Sequence, residues 1–180
     1  MESALFDTLD SDGGWIAEVK KNGWRCLAQK ESGALTLWTR HRTTINDNLA
    51  DLRASLSEQL PDGTIIDGEL LNNRTKEIKG VYYVFDILMF RGRHLVSLPL
   101  KERREILETI IKPTPALYLA EQFSAGKKKL YYTAIESPEN EGVVLKKLTS
   151  HYLGSTSRCL QHPQWLKVKR PESHVRTERS

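Results

Sequence analysis

The chain has 180 residues, 39% of them hydrophobic and 28% charged, with a formal net charge of +4. That is enough apolar material for the core of one domain or two small ones, which excludes a wholly disordered chain as well as collagen-like and disulfide-rich secreted classes. The longest apolar runs, 81–85 and 87–90, are split by Asp86 and fall far short of the ~20 residues that a bilayer crossing needs. The N-terminus carries neither a basic leader nor a long apolar stretch, which points to a cytoplasmic protein with no membrane partner.

Residues 16–20 and 24–28 read as two strands around a Lys-Asn-Gly turn, because Asn-Gly accepts the positive φ of a tight connection. Residues 35–39 alternate as a third strand. Leu49, Leu52 and Leu56 recur at helical spacing and predict a helix over 46–59, terminated by Pro61-Asp62-Gly63. Strands over 64–71 and 81–90 follow, with a polar loop over 72–76 between them. Pro99 opens a second helix, 100–111, which stops before Pro113; Arg103 and Arg104 give it a basic face that reads as solvated. Residues 142–147 and 165–169 are late strands joined by a connection over 148–163. In the second of them, period-2 geometry puts Lys167 and Lys169 on one face and Leu166 and Val168 on the other. The expected class is mixed α+β, a single domain over 1–170 followed by a short polar tail, 171–180.

Charge is unevenly placed. From Lys146 onward eight Lys or Arg face two acids, a net +6, while the other 145 residues carry −2. Such a segment favours a polyanionic partner, because neutralising phosphates releases condensed counterions. Cys26 and Cys159 form no CxxC pair and the five histidines lack metal-ligand spacing, so neither a zinc module nor a disulfide framework is indicated.

The most informative string is Glu18-Val19-Lys20-Lys21-Asn22-Gly23-Trp24-Arg25. A lysine attacks a phosphorus only after losing a proton, and an ordinary amine with a pKa of ~10.4 is almost wholly protonated at neutral pH. Burial and neighbouring cations such as Lys167 and Lys169 both disfavour the ammonium form, so they are expected beside Lys20. Downstream come Asp67-Gly68-Glu69-Leu70, Tyr83-Val84-Phe85-Asp86, Glu141-Gly142-Val143-Val144-Leu145-Lys146 and Trp165-Leu166-Lys167-Val168-Lys169.

Together, in this order and over 15–170, these strings resemble motifs I, III, IIIa, IV and V of the covalent nucleotidyltransferases. Within that superfamily the chain is most similar to ATP-dependent DNA ligases, particularly the ligase domain of bacterial end-joining ligase D and small phage ligases. Leu37-Trp38-Thr39-Arg40 and the stretch 98–104 add to the likeness. The resemblance implies an α+β nucleotidyltransferase fold, the ATP-grasp-like adenylation fold, with antiparallel sheets flanked by helices and the nucleotide between them.

The resemblance also implies a reaction: Lys20 takes AMP from ATP as a covalent adduct, passes it to the 5′-phosphate of a nick in duplex DNA, and the 3′-hydroxyl displaces it. Lys20, Lys167, Lys169 and Glu141 are then catalytic, with both late lysines on the α-phosphate. Glu18, Arg25, Glu69 and Phe85 complete the nucleotide site, Glu69 on the ribose hydroxyls and Phe85 stacked on adenine. Glu69 and Glu141 hold Mg²⁺ or Mn²⁺. Arg25, Arg40, Lys146 and Lys147 contact DNA.

Two departures stand out. Motif I ordinarily reads Lys-x-Asp-Gly, whereas Asn22 stands at its third position, which removes a carboxylate and keeps the turn. About ten residues follow Arg170, too few for the oligonucleotide-binding (OB) fold domain and motif VI of such ligases. The expectation is therefore a catalytic domain without an OB-fold domain, either part of a longer protein or a minimal form that adenylates poorly or is assisted by an OB-fold domain or a partner protein in trans, with weak, salt-sensitive nick binding. The alternatives are an RNA ligase of the same superfamily, or a nick- or nucleotide-binding accessory protein with impaired adenylation.

Overall fold

The computed structural model describes residues 9, 13–46, 48–71, 80–153 and 162–171. The described elements are β1 (Trp15–Lys21), β2 (Trp24–Glu31), β3 (Ala34–Thr39), α1 (Ala50–Gln59), β4 (Thr64–Leu71), β5 (Val81–Phe90), β6 (Arg93–His94), α2 (Leu100–Ile110), β7 (Leu117–Leu119), α3 (Lys127–Glu136), β8 (Asn140–Lys147) and β9 (Trp165–Lys169). They form a three-stranded sheet ordered β1-β8-β9 and a six-stranded sheet ordered β3-β2-β4-β5-β6, with β7 also on β5. Every pairing is antiparallel except β5 with β7. This is the expected α+β class.

Each sheet has its own core. Leu37, Ile66, Leu70, Tyr82, Val84 and Ile87 of the larger sheet pack with Leu52 and Leu56 of α1 and Leu107 of α2. Ala17, Val143, Leu145 and Val168 of the smaller sheet pack against Tyr131 and Ala134 of α3. A third cluster joins the two sheets: Ile16, Leu100 and Trp165, with Phe85, Val144, Leu148 and Tyr152 packed against it. The two sheets therefore meet through their inner faces, and the side chains beyond that cluster line the space between them.

The strands over 64–71, 81–90 and 165–169 occur at the expected boundaries. The first helix starts at Ala50 and not at residue 46, because the segment before it is held on β3 by the Ile45 N–H bonded to the Leu37 carbonyl. The expected loop 72–76, part of the connection 148–163 and the tail beyond 171 lie outside the described residues.

The solvated basic face expected on the second helix is corrected. Arg103 is fully buried and forms a two-pronged pair with Asp86, Nε and Nη2 each 2.8 Å from a carboxylate oxygen. Its Nη1 donates to the carbonyls of Leu98 and Ser150. Arg104 is shielded as well, bonded to Glu108 and to the Ala120 carbonyl. A guanidinium survives burial only when its donors are satisfied, and Arg103 achieves this by tying α2 to β5 and to the segment after β8.

Candidate active site

Strand register builds one wall of the site. Across the smaller sheet Ile16, Lys146 and Trp165 lie side by side, then Glu18, Val144 and Lys167, then Lys20, Gly142 and Lys169. Paired residues share a face and successive pairs alternate, so these nine positions form one surface while the intervening apolar residues face α3. On the larger sheet Arg25, Glu69, Tyr83 and Tyr118 form a single row across four strands.

Two bulges sharpen the arrangement. The register steps from Lys20↔Gly142 to Lys21↔Asn140, leaving Glu141 as the extra residue, and from Asp67↔Asp86 to Gly68↔Val84, leaving Phe85 as the extra one. A bulge twists its strand and re-aims the side chain it frees. Gly142 beside the first bulge has φ +137°, and a Cβ there would sit 2.0 Å from the Val168 carbonyl oxygen. Gly68, beside the second, has no room for a Cβ against the Tyr83 carbonyl and the Tyr82 ring.

Lys20 Nζ donates to Glu141 Oε2 at 2.6 Å, and Lys169 Nζ lies 3.5 Å from the same oxygen. Partial burial pushes the Glu141 carboxyl up, but the hydrogen bond and charge of Lys20, with Lys169, hold it below the ordinary value. Burial lowers Lys167 from the ordinary lysine value, and the charges of Lys20, Lys169 and Arg25 lower it further. The expected cations, Lys167 and Lys169, do lie beside Lys20, and its direct hydrogen-bond partner is the Glu141 carboxylate. Glu69 Oε1 accepts the Gly23 N–H at 3.0 Å; burial pushes its carboxyl up against the pull of Lys20.

Arg25 is aimed by partners outside the expected set. Its Nη2 lies 2.7 Å from Asp67 Oδ2 and 2.9 Å from the Tyr152 hydroxyl, and that hydroxyl donates to Asp67 Oδ2 at 2.9 Å. Asp67 is fully buried, so its carboxylate is a fixed anchor. From this anchor Arg25 Cζ lies 5.9 Å from the Phe85 ring centroid. Lys146 Nζ lies 4.5 Å from the same centroid and 4.3 Å from that of Trp165. Lys146 also pairs with Glu18 Oε2 at 2.6 Å, off the hydrogen-bonding axis. Glu18 Oε1 in turn accepts from Gln122 Nε2 at 2.9 Å.

A family model described as the ATP dependent DNA ligase domain matches residues 71–169. The chain belongs to that family. It is 26% identical over 176 residues to the SPbeta prophage-derived DNA ligase-like protein LigB of Bacillus subtilis, covering 88% of this chain and 62% of that protein. The ligase domain of M. tuberculosis LigD superposes with a TM-score of 0.67 at 28% identity, over 86% of this chain and 54% of that one. A mycobacterial DNA ligase D complexed with ATP and MES superposes with a TM-score of 0.64 at 26% identity. The chain spans less than two thirds of the length of these relatives.

Within this ligase-family domain the fold gathers Lys20, Glu69, Glu141, Lys167, Lys169, Arg25, Phe85 and Glu18 between the sheets. Lys146 is not placed as a DNA-facing lysine: it is 2% exposed and enclosed by Glu18, Phe85 and Trp165. Lys147 alternates to the other side of β8. Arg40 is exposed one residue past Thr39, the partner of Cys26, and so adjoins the Arg25 end of the row. The buried Cys26 thiol, pushed up to about 12 chiefly by burial, is chemically quiet.

The described residues contain no group of three or more His, Cys, Asp or Glu that would cage a metal. Glu69 and Glu141 are coupled through space and both feel Lys20. Two carboxylates completed by substrate phosphates are the donor set that Mg²⁺ accepts, so these residues fit such an ion when a nucleotide is bound. No helix among the described residues is long and apolar enough to cross a membrane. Asp67, Tyr152 and Gln122 are the residues that sequence reasoning missed. Asp67 stood in the quoted Asp-Gly-Glu string and was open to notice, whereas Tyr152 and Gln122 acquire their partners only through the fold.

Proposed function

We propose that this chain is the catalytic domain of an ATP-dependent DNA ligase, forming lysyl-AMP at Lys20 and sealing 5′-phosphate/3′-hydroxyl nicks in duplex DNA. The carrying observation is the Lys20–Glu141 pair set between Glu69 of one sheet and Lys167 and Lys169 of the other. In the first step Lys20 Nζ gives up a proton, for which Glu141 Oε2 is the bonded acceptor, and its lone pair attacks the α-phosphorus of ATP. A nitrogen–phosphorus bond forms as the bond to the β-phosphate oxygen breaks, and pyrophosphate leaves. Lys167 and Lys169 face the developing charge on the α-phosphate. A divalent ion held by Glu69 and Glu141 would neutralise phosphate charge. Phe85 offers its ring to adenine; Lys146, now lying over that ring, would lie at the rim of the base.

In the later steps the AMP phosphorus passes from Lys20 to an oxygen of the nick 5′-phosphate, and the 3′-hydroxyl then attacks that phosphate and releases AMP. Arg25, held by Asp67 through Nε and Nη2, would offer its Nη1 to one of these phosphates. An OB-fold domain or a partner protein in trans would close over the duplex, and a cytoplasmic setting suits the use of ATP. The test is ligation of a nicked duplex carrying a labelled 5′-phosphate, with ATP and Mg²⁺ or Mn²⁺. Sealing of a DNA 3′-end supports the reading; sealing confined to RNA 3′-ends, or none even on a pre-adenylated nick, would refute it.

A further inference from the structure

The row that holds Arg25 and Glu69 does not stop at the reacting centre. Tyr83 pairs with Glu69 across β4 and β5, and Tyr118 pairs with Tyr83 across β5 and β7, so both rings lie on the face that carries Glu69. The two rings are stacked, with centroids 5.5 Å apart and planes inclined by 21°. Lys21, the residue after Lys20 and the last of β1, brings its Nζ to 4.7 Å from the Tyr83 centroid. Consecutive lysines of the smaller sheet thus both address the row on the larger one, Lys20 toward Glu69 and Lys21 toward Tyr83. Tyr118 is 36% exposed, one of the few large hydrophobic side chains described at the surface. Nothing in the adenylation chemistry uses these three residues.

We propose that Tyr118, backed by Tyr83 and Lys21, is a stacking platform for a nucleotide of the polynucleotide strand that flanks the reacting phosphate. This rests on the ligase reading above and adds a strand subsite to it. Continuity supports the occupant: Tyr118 lies two strand spacings from Glu69, ~10 Å, within reach of a nucleotide neighbouring the one bound there. The chemistry supports it too. An exposed tyrosine ring offers a π-face to any base, and base–aromatic stacking contributes roughly 1–3 kcal/mol without demanding a sequence. A bare pyrophosphate, the other polyanion of this reaction, has no ring for Tyr118 to meet.

The charge of the patch sets what kind of contact it makes. Glu139 acts electrostatically on both Lys21 and Tyr83, so it offsets the Lys21 ammonium. The affinity should come from the ring, with Lys21 acting as its polarised backing and at most one phosphate contact.

The experiment uses the full chain and a nicked duplex whose binding is followed across a salt series, with lysyl-AMP formation from ATP read on the same preparations. Tyr118 is exposed on a three-residue edge strand, so its substitution is expected to leave the fold intact, checked by the thermal midpoint. Tyr118→Ala is expected to weaken nick binding about 5- to 150-fold, without changing the slope of log affinity against log salt and with lysyl-AMP formation retained. Tyr118→Trp is expected to restore binding, and Lys21→Met to reduce the slope by up to about 0.9. Nick binding by Tyr118→Ala equal to wild type, or a Tyr118→Trp variant as weak as Tyr118→Ala, would overturn the platform. So would a defect confined to the KM for ATP, which would assign the patch to the triphosphate. A wild-type chain that takes no AMP and seals no nick refutes the ligase reading itself, an outcome separate from these.

Discussion

Lys20–Glu141 and Arg103–Asp86 are ion pairs of similar length, 2.6 and 2.8 Å, yet their surroundings give them different work. Arg103 and Asp86 are wholly buried, and the remaining Arg103 donors reach backbone carbonyls, so the pair has one arrangement and holds it. Lys20 and Glu141 keep 18% and 29% of their side-chain surface exposed, on a bulge, with a second lysine on the same oxygen. In the proposed reaction that pair opens to admit a phosphate. The first joins the elements that frame the cleft, and the second is where the proposed chemistry would take place. The difference lies in how many alternative partners each group has, not in the strength of its contact.

Breaking the first pair should have the largest effect on stability. Arg103→Met leaves the Asp86 carboxylate buried without its guanidinium, and unfolding by urea should show a loss of about 3–5 kcal/mol. Adding Asp86→Leu to that variant should recover much of the loss, because well-packed apolar replacements of both partners avoid the uncompensated charge. An Arg103→Met protein as stable as wild type would show that the burial is not what fixes these elements.

A smaller effect is expected at Tyr152, whose hydroxyl donates to Asp67 and accepts from Arg25. Tyr152→Phe should cost roughly 1–3 kcal/mol and slow phosphate-dependent steps through a less constrained Arg25. A change in KM for nicked DNA, with the fold retained, would separate this role from simple packing. Lys20→Ala sharpens the contrast further: as a part-exposed pair it should alter stability by no more than ~1 kcal/mol, while abolishing the AMP adduct.

The smallest effect is a pH dependence. The Glu141 carboxyl is held below its ordinary value, so it contributes stability that is present above the ordinary carboxylate range and is lost as pH falls through the lowered value. Glu141→Gln should therefore flatten the acid side of a thermal-midpoint profile below pH ~4.5 and leave the neutral side nearly unchanged. An acid limb identical in the two proteins would remove Glu141 from that role.

Local pattern carried much of the fold. Thr64–Leu71, Val81–Phe90 and Trp165–Lys169 are strands whose β-branched and aromatic content is sufficient to place them, and the opposite facing of Lys167 and Val168 follows from period 2 alone. Helix α3 has a weaker local signature: Leu130, Tyr131, Ala134 and Ile135 stand at helical spacing, but the segment opens on three lysines. Lys127, the first of them, is buried with its ammonium on the Ser124 carbonyl. Strand β7 has three residues and exists by its parallel pairing with β5, a long-range contact with no local signature.

The candidate site divides along the same line. The ordered strings named Lys20, Glu69, Phe85, Glu141, Lys167 and Lys169, all of which the sheets gather together. They did not reveal that Glu141 would be the direct partner of Lys20 across 121 residues, nor that a bulge would present it. They also put Lys146 on the wrong surface. Alternation along β8 gives its side, but whether that side meets solvent or the second sheet depends on the packing of Phe85 and Trp165 around it.

The most direct test of the account is the intact mass of the purified chain before and after incubation with ATP and Mg²⁺ or Mn²⁺, beside Lys20→Ala. The account predicts a gain of one AMP by the wild-type chain and none by the variant. An equal gain in both would contradict Lys20 as the nucleophile.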